Sequence, residues 1–257
     1  TASDARAVAD MLQRLGFTVD LAIDIPLIQM QETVDAFSRK VETADIALVY
    51  YAGHGVEAAG ENYLVPVDIK VDDPATIPAQ AISLTSVLRS VERARKLRIV
   101  ILDSCRNNPF PALAGAIAAD GAKLSGDGLV APDPSQGMLV IYAAEGGKVA
   151  LDGDGEHSPF ATAILESLPR PNVEIGLVFR QVRDRVMSLT ANRQQPHFYG
   201  SLSGAPYFLA GEDTAVADIA DKASQWQALK PEQEVQLAAL AEEGNTRALL
   251  GLGYMAQ

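Results

Sequence analysis

Two apolar stretches, residues 46–51 and 99–102, each lead into a polar group that can do chemistry. The first stretch ends shortly before His54, and the second ends shortly before Cys105, the only cysteine of the chain. Strands that are apolar throughout are typical of parallel sheets covered by helices on both faces. If these two strands are parallel neighbours, His54 and Cys105 lie at the same carboxyl edge of the sheet, where α/β folds place their sites.

The flanking sequence predicts further helices and strands in alternation. Amphipathic periodicity and capping residues predict helices over residues 3–15, 26–41, 83–96, 158–168 and 173–192. Further strands are predicted over residues 17–23, 138–143 and 206–209, with a small hairpin over residues 56–67. This alternation predicts an α/β fold of three layers, with a mostly parallel central sheet flanked by helices.

Two segments differ from this pattern. Residues 106–136 are rich in Gly, Ala, Pro and Asp without a clear period, and so long a segment is usually functional or disordered. After residue 210 the chain becomes acidic, Ala-rich and helical, and its end resembles the opening of a Sel1-like repeat. We therefore predict one domain over residues 1–210 and a helical tail, a partial Sel1-like repeat, over residues 211–257.

Composition limits the classes of function. The formal net charge of −12 argues against nucleic-acid binding and favours basic substrates or partners. A single cysteine excludes an internal disulfide framework. No apolar run reaches the roughly 20 residues of a membrane helix, and no signal peptide is visible, so we expect a soluble protein that does not bind membranes.

A thiol and an imidazole at one sheet edge can perform nucleophilic acyl transfer. His54 can remove the proton of the Cys105 thiol and later protonate a leaving amine. The main-chain N–H groups of Gly55 and Cys105 are the natural donors to the tetrahedral oxyanion. The alternative is that Cys105 has no catalytic role and is an inert thiol in the core. His157, in a loop, and His197, a structural or surface residue, stay open as alternative bases.

The segments around these two residues resemble a known family. Tyr51-Ala52-Gly53-His54-Gly55 and Leu102-Asp103-Ser104-Cys105-Arg106-Asn107 are similar to the catalytic signatures of caspase-like cysteine peptidases. The resemblance is to the metacaspase, paracaspase and bacterial orthocaspase branch, and it spans about residues 4–209. It implies the caspase-like fold and a cysteine endopeptidase that uses a Cys-His dyad.

The same resemblance implies the class of substrate. In the arginine- and lysine-specific branch an aspartate at the position of Asp103 helps to line the S1 pocket. Asp4 resembles a second acidic wall, and Asp152 falls where a third acid is found. Carboxylates held together repel each other and are stabilised by a guanidinium or ammonium group. The alternatives are a helix cap for Asp4 and a solvated loop charge for Asp152.

The family also implies features around this core. Its fold begins with a central strand before the helix that holds Asp4, so we expect that strand upstream of residue 1. Residues 106–136 occupy the position of the linker between the large and small portions, where Lys123 is a possible self-cleavage site. Calcium activates some members, but as an EF-hand loop starting at Asp152 the sequence has His157 where Gly belongs and Ala163 where Glu belongs. We therefore expect no metal or other cofactor, with calcium kept as a minor possibility.

These observations predict a bacterial cysteine endopeptidase that cleaves after Arg or Lys and acts on peptides or proteins. The helical tail is a possible protein-binding segment, and the compartment, cytoplasm or periplasm, is open. Two alternatives remain. One is a catalytically silent caspase-like interaction module, and the other is a different thiol acyl transferase such as an amidase.

Overall fold

The computed structural model describes residues 2–71, 73–105, 134–145, 150–153 and 155–211. Its helices are α1 (Ala2–Arg14), α2 (Leu27–Val41), α3 (Ile77–Gln80), α4 (Leu84–Val91), α5 (Pro159–Ser167) and α6 (Ile175–Leu189). Its strands are β1 (Ile46–Ala58), β2 (Glu61–Leu64), β3 (Ile82–Ser83), β4 (Leu97–Cys105), β5 (Met138–Tyr142) and β6 (His197–Gly200). A 3₁₀ turn, Pro74–Thr76, precedes α3. The predicted α/β class is therefore confirmed.

One sheet of six strands runs through the described part of the chain in the order β3-β2-β1-β4-β5-β6. The central strands β1, β4 and β5 are parallel, whereas β2, β3 and β6 join antiparallel to their neighbours. The predicted parallel sheet is thus correct for the three apolar core strands. The whole sheet is mixed: β2 follows β1 through a tight hairpin, whereas β6 follows α5 and α6 and pairs antiparallel with β5.

Alternate residues of β4 pack into separate cores on the two faces of the sheet. Ile99 and Ile101 face a core built with α1, α5 and α6. Val100 and Leu102 face a second core built with α2 and α4. All four side chains are fully buried, as the period-2 alternation of a strand covered on both faces requires. The predicted three-layer arrangement is confirmed.

β1 continues through His54 and changes its partner there. Over residues 46–54 it pairs with β4, and over residues 55–58 it pairs with β2 on its other edge. Ala59 and Gly60, both with positive φ, form the two-residue turn into β2, which is the geometry of a tight hairpin. The hairpin predicted there is confirmed, but the Gly-His-Gly segment lies inside a strand and not in a turn.

Three predicted elements differ from the structure. Residues 17–23 are extended without a ladder partner among the described residues, and residues 206–209 form only one bridge, Glu174 to Phe208. The position beside β5 belongs instead to β6, which the sequence did not suggest. The predicted helix over residues 83–96 ends at Val91, because the main chain of residues 95–97 bonds to Ala44 and Asp45.

A slot lies between residues 17–25 and the edge of β1 over residues 48–54. Residues 18–24 make no main-chain hydrogen bond among the described residues, and that edge of β1 has no strand beside it. The slot has a volume of about 460 Å³. Its apolar lining includes Leu12, Val19, Met30, Phe37 and Leu48. Its apolar lining suits one more strand, and the strand expected ahead of α1 stays a prediction.

We predict that a strand supplied ahead of α1 stabilises the domain. A fused eight-residue Val/Ile/Thr segment on a short glycine linker should bury two or three apolar side chains, each contributing about 1.5–3 kcal/mol. The midpoint of thermal unfolding should then rise by about 5 °C or more. The control fusion carries proline at alternate positions, which removes the donors needed for pairing. Equal melting temperatures for the two fusions would contradict the prediction.

The predicted linker over residues 106–136, apart from its last three residues, and the tail beyond residue 211 lie outside the described residues. The Sel1-like repeat therefore stays a prediction. No helix among the described residues is both long and apolar enough to span a membrane.

Candidate active site

β1 and β4 bring the two candidate reactive residues to the same level of the sheet. The parallel register pairs His54 with Cys105 and Ala52 with Asp103. Both residues stand at the carboxyl ends of their paired segments, as predicted from the two apolar stretches. His54 is exposed to solvent at this edge. The main chain therefore places the two residues opposite each other on neighbouring strands. Residues 106–133, which follow Cys105, lie outside the described part.

The hydroxyl of Tyr51 holds the main chain at His54. It donates to the carbonyl of His54 at 2.7 Å and lies 3.1 Å from the carbonyl oxygen of Val65, while the Val65 N–H donates to it at 3.2 Å. The ring passes so close to Gly53 that a Cβ there would stand 2.6 Å from the Tyr51 oxygen. Glycine at this position lets the tyrosine fold back and brace the segment that carries the imidazole.

The register also fixes the direction of the Gly55 N–H. Val65 N–H donates to the carbonyl of His54 at 3.0 Å, and the next pair along the ladder is Gly55 with Leu64. Opposed residues of an antiparallel ladder alternate between hydrogen-bonded and non-hydrogen-bonded pairs. The Gly55 N–H therefore points away from β2, toward the side on which β4 ends.

A buried acidic cluster lies at this same edge, on the face covered by α1 and α5. The Asp103 carboxylate is 9% exposed, and its Oδ2 accepts hydrogen bonds from the hydroxyls of Tyr50 and Ser158, each at 2.9 Å. Ser158 also caps α5 by accepting from the Ala161 N–H at 2.9 Å. Among the described residues no Lys, Arg or His side chain is bonded to Asp103.

The second acid of the cluster is Asp4, in the first turn of α1. Its side chain is only 4% exposed, and its Oδ1 lies 2.8 Å from Nδ1 of His157. The structure thus brings Asp4 and Asp103, which are 99 residues apart in the chain, into one cluster on either side of the 157–158 dipeptide. A helix-cap role for Asp4 does not fit, because α1 already begins at Ala2.

Burial changes the titration of the cluster. Burial raises the pKa of Asp103 to about 6, and the Asp4 charge adds to the rise, while the bonds from Ser158 and Tyr50 oppose it. Burial raises the pKa of Tyr50 well above its ordinary value, and the Asp103 charge raises it further. Asp103 is therefore ionised at neutral pH at a cost in free energy, which a cationic ligand would offset.

The other predicted site residues are not among the side chains bonded to Asp103 or Asp4. Asp152 is exposed to solvent. The buried Gln194 holds the start of its loop by accepting from the Leu151 N–H at 2.9 Å. Lys123 lies outside the described residues. No group of three or more His, Cys, Asp or Glu side chains in the described ranges is arranged to hold a metal ion.

Two residues of the cluster, Tyr50 and Ser158, were not recognised from the sequence as site residues, and His157 was considered only as an alternative base. Tyr50 belongs to an apolar strand and is indistinguishable there from a core tyrosine. Ser158 carries a capping signal, and the cap is present, but its second bond to Asp103 spans 55 residues. His157 was predicted to be a bland loop residue beside that cap. Only the pairing of distant elements brings these side chains to the acids.

Comparison with known proteins identifies the class. A family model described as a caspase domain matches residues 1–207, so the chain belongs to the caspase-domain family.

Two curated relatives and one solved structure are similar to this chain. The mucosa-associated lymphoid tissue lymphoma translocation protein 1 of Homo sapiens is 30% identical over 104 residues, which is 40% of this chain and 12% of that protein. Its Mus musculus homologue matches at the same identity and coverage. The crystal structure of caspase-1 from Spodoptera frugiperda shares the fold, with a TM-score of 0.54, 15% identity and 82% of each chain covered. The resemblance to caspase-like peptidases is thereby confirmed.

Proposed function

We propose that this protein is a cysteine endopeptidase that cleaves peptide bonds after arginine or lysine. The observation that carries the proposal is the Asp103 carboxylate. It is buried, it is bonded only to hydroxyls among the described residues, and it lies two residues before Cys105 in the same strand. A carboxylate kept ionised in this setting favours a cation. The adjacent Asp4 adds a second negative charge and repels an acidic P1 side chain.

The proposed reaction is acyl transfer to the Cys105 thiol. His54 takes the thiol proton, and the thiolate attacks the scissile carbonyl to form a tetrahedral oxyanion. The N–H groups of Gly55 and Cys105 donate to that oxyanion, a role supported by the outward direction of the Gly55 N–H. Collapse of the intermediate breaks the C–N bond as His54 protonates the leaving amine. Water then hydrolyses the thioester, again with His54 as the base.

Selection of the substrate is assigned to the acidic cluster. A P1 guanidinium or ammonium group would bind to Asp103 with Asp4 nearby, through charge-assisted hydrogen bonds. Asp152 is kept as a proposed outer contact, at the exposed start of the loop that ends at His157. The net charge of −12 is consistent with attraction of basic protein substrates.

Several finer features belong to the same proposal. Lys123, with a basic side chain in the segment after Cys105, is the proposed site of self-processing. The Asp103-Ser104-Cys105 signature favours the metacaspase and orthocaspase branch, and so a bacterial protein of cytoplasm or periplasm. The tail over residues 211–257 is a proposed partner-binding segment. Activity is expected without a metal or other cofactor, and a calcium titration of the peptidase tests that expectation.

The experiment that tests the specificity is a panel of matched fluorogenic peptides with Arg, Lys, citrulline or Asp at P1. Citrulline has the shape of arginine without its charge, so the ratio of kcat/KM between the two peptides isolates the contribution of charge. We expect Arg and Lys to be cleaved about 10–100-fold faster than citrulline, the range for a charge-assisted hydrogen bond of about 1.5–3 kcal/mol. The Asp peptide should not be cleaved.

Other outcomes identify the alternatives. Cleavage after Asp and not after Arg would overturn the assignment of the acidic cluster. Equal rates for Arg and citrulline would favour a thiol acyl transferase of another kind. No cleavage of any peptide, with no labelling of Cys105 by an alkylating probe at neutral pH, would favour the interaction module.

A further inference from the structure

The hydroxyl of Tyr51 is the centre of a small hydrogen-bond network at the point where β1 changes its partner. Its oxygen lies 2.7 Å from the carbonyl oxygen of His54 and 3.1 Å from that of Val65. The Val65 N–H is shared between two acceptors, the His54 carbonyl at 3.0 Å and the Tyr51 oxygen at 3.2 Å. One side chain therefore ties the main chain of His54 to the segment that follows β2.

His54 stands at the junction of the two paired segments of β1. Up to this residue β1 pairs with β4, and from Gly55 onward it pairs with β2 on its other edge. His54 is exposed at the sheet edge, so neighbouring side chains do little to hold its ring. The direction in which a side chain leaves a strand depends on the φ and ψ angles of its own residue. A bond that holds the His54 carbonyl therefore also holds the imidazole.

The Tyr51 hydroxyl reaches this carbonyl because the chain has no side chain at Gly53. The tyrosine ring folds back over Gly53, where a Cβ would stand 2.6 Å from the Tyr51 oxygen and 2.9 Å from its Cζ. Burial raises the pKa of Tyr51 well above its ordinary value, so the hydroxyl keeps its proton and remains a donor. The four residues from Tyr51 to His54 thus contain both the histidine and the group that holds it.

We propose that Tyr51 is a positioning residue of the Cys-His dyad, whose hydroxyl holds the His54 main chain so that the imidazole reaches the Cys105 thiol. This inference rests on the proposed function. In this role the tyrosine acts through His54 and not on the substrate. The Val65 N–H still donates to the His54 carbonyl when the hydroxyl is removed, so the reaction should become slower and should not stop.

The variant Tyr51→Phe removes the hydroxyl and keeps the ring over Gly53. The readout is the rate at which iodoacetamide alkylates Cys105 at pH 7, and the chain has no other cysteine that could react. In this reaction His54 takes the thiol proton, the sulfur forms a bond to the CH2 carbon, and iodide leaves. We expect this rate, and kcat/KM for the Arg peptide, to fall about tenfold, the scale for the loss of one hydrogen bond.

A matched control and a second background separate positioning from structural support. Tyr63→Phe removes the hydroxyl of a buried tyrosine of β2 and should follow wild type. In His54→Ala there is no imidazole to position, so the addition of Tyr51→Phe should change the remaining alkylation rate by less than about twofold. If Tyr51→Phe fails to fold, as its melting curve would show, Gly53→Ala replaces it, because the added Cβ displaces the same hydroxyl.

Two outcomes would overturn the inference. One is a wild-type rate of alkylation for Tyr51→Phe, which makes the hydroxyl irrelevant to the dyad. The other is an equal loss of rate with and without His54, which makes the tyrosine a general support of the fold near Cys105. Failure of the proposed function is distinguishable, because His54→Ala alone would then react with iodoacetamide as fast as wild type.

Discussion

The variant Cys105→Ala should lose nearly all peptide cleavage while keeping its fold. The chain has one thiol, so the substitution leaves no other cysteine that could act as nucleophile. We expect kcat/KM for the Arg peptide to fall on the order of 10³-fold or more, the scale on which removal of a nucleophile acts in acyl-transfer enzymes. The main-chain register of His54 with residue 105 does not depend on the side chain, so the oxyanion donors should remain.

The same variant tests self-processing at Lys123. Wild-type protein on prolonged incubation should yield two fragments, whereas Cys105→Ala should stay intact. Mass spectrometry then locates the new terminus after residue 123. A melting temperature within about 2 °C of wild type is the control for folding, because a single core substitution that disrupts packing lowers the melting temperature by more than that. Peptide cleavage by Cys105→Ala at the wild-type rate would exclude the thiol mechanism.

The position of the candidate dyad could be predicted from the sequence because it depends on local signals. Residues 46–51 and 99–102 are apolar throughout, as is typical of strands buried in a parallel sheet. The structure pairs these strands in the register that sets His54 opposite Cys105. The hairpin at Ala59-Gly60 was predictable for the same kind of reason, since glycine at the turn favours positive φ.

The contacts of the acidic cluster could not be predicted, because they join elements that are far apart in the chain. The bond between Asp4 and His157 spans 153 residues, and that between Tyr50 and Asp103 spans 53. The hydrophobic periodicity of the sequence does not show which distant residues come into contact. Residues 17–23 failed as a strand for a related reason. Their pattern suits a strand, but a strand forms only where a neighbouring strand pairs with it, and the described residues provide no such neighbour.

Because the Asp103 carboxylate is both buried and charged, we expect it to lower the stability of the fold and to raise the specificity for a basic P1 residue. Asparagine keeps the shape and can accept from Tyr50 and Ser158, but it removes the charge. We expect Asp103→Asn to lower the kcat/KM ratio of Arg to citrulline peptides by about 10–100-fold at pH 8. Wild type itself should lose this preference as pH falls through about 6, where Asp103 becomes protonated.

The stability of the same variant should change in the opposite direction. The folded-state pKa of Asp103 is raised from 3.8 to about 6, so the native protein binds the proton more tightly than the unfolded chain. By linkage, wild-type stability falls as pH rises from about 4 to about 6 and stays lower above that. At pH 8 Asp103→Asn should therefore be the more stable protein, by an amount on the order of 2–3 kcal/mol, and the gain should vanish near pH 4.

The measurement is chemical or thermal unfolding of both proteins at pH 4, 6 and 8. Asp184→Asn is the matched control, because the side chain of Asp184 is 73% exposed and its ion pair with Arg183 is at the surface. That variant should show no comparable pH-dependent gain. If Asp103→Asn is no more stable than wild type at pH 8, the buried Asp103 charge does not lower the free energy of unfolding. That result would contradict the proposal that a cation binds in the pocket to offset this loss of stability. A stable variant that has lost its preference for arginine would show that this acid is kept for binding and not for folding.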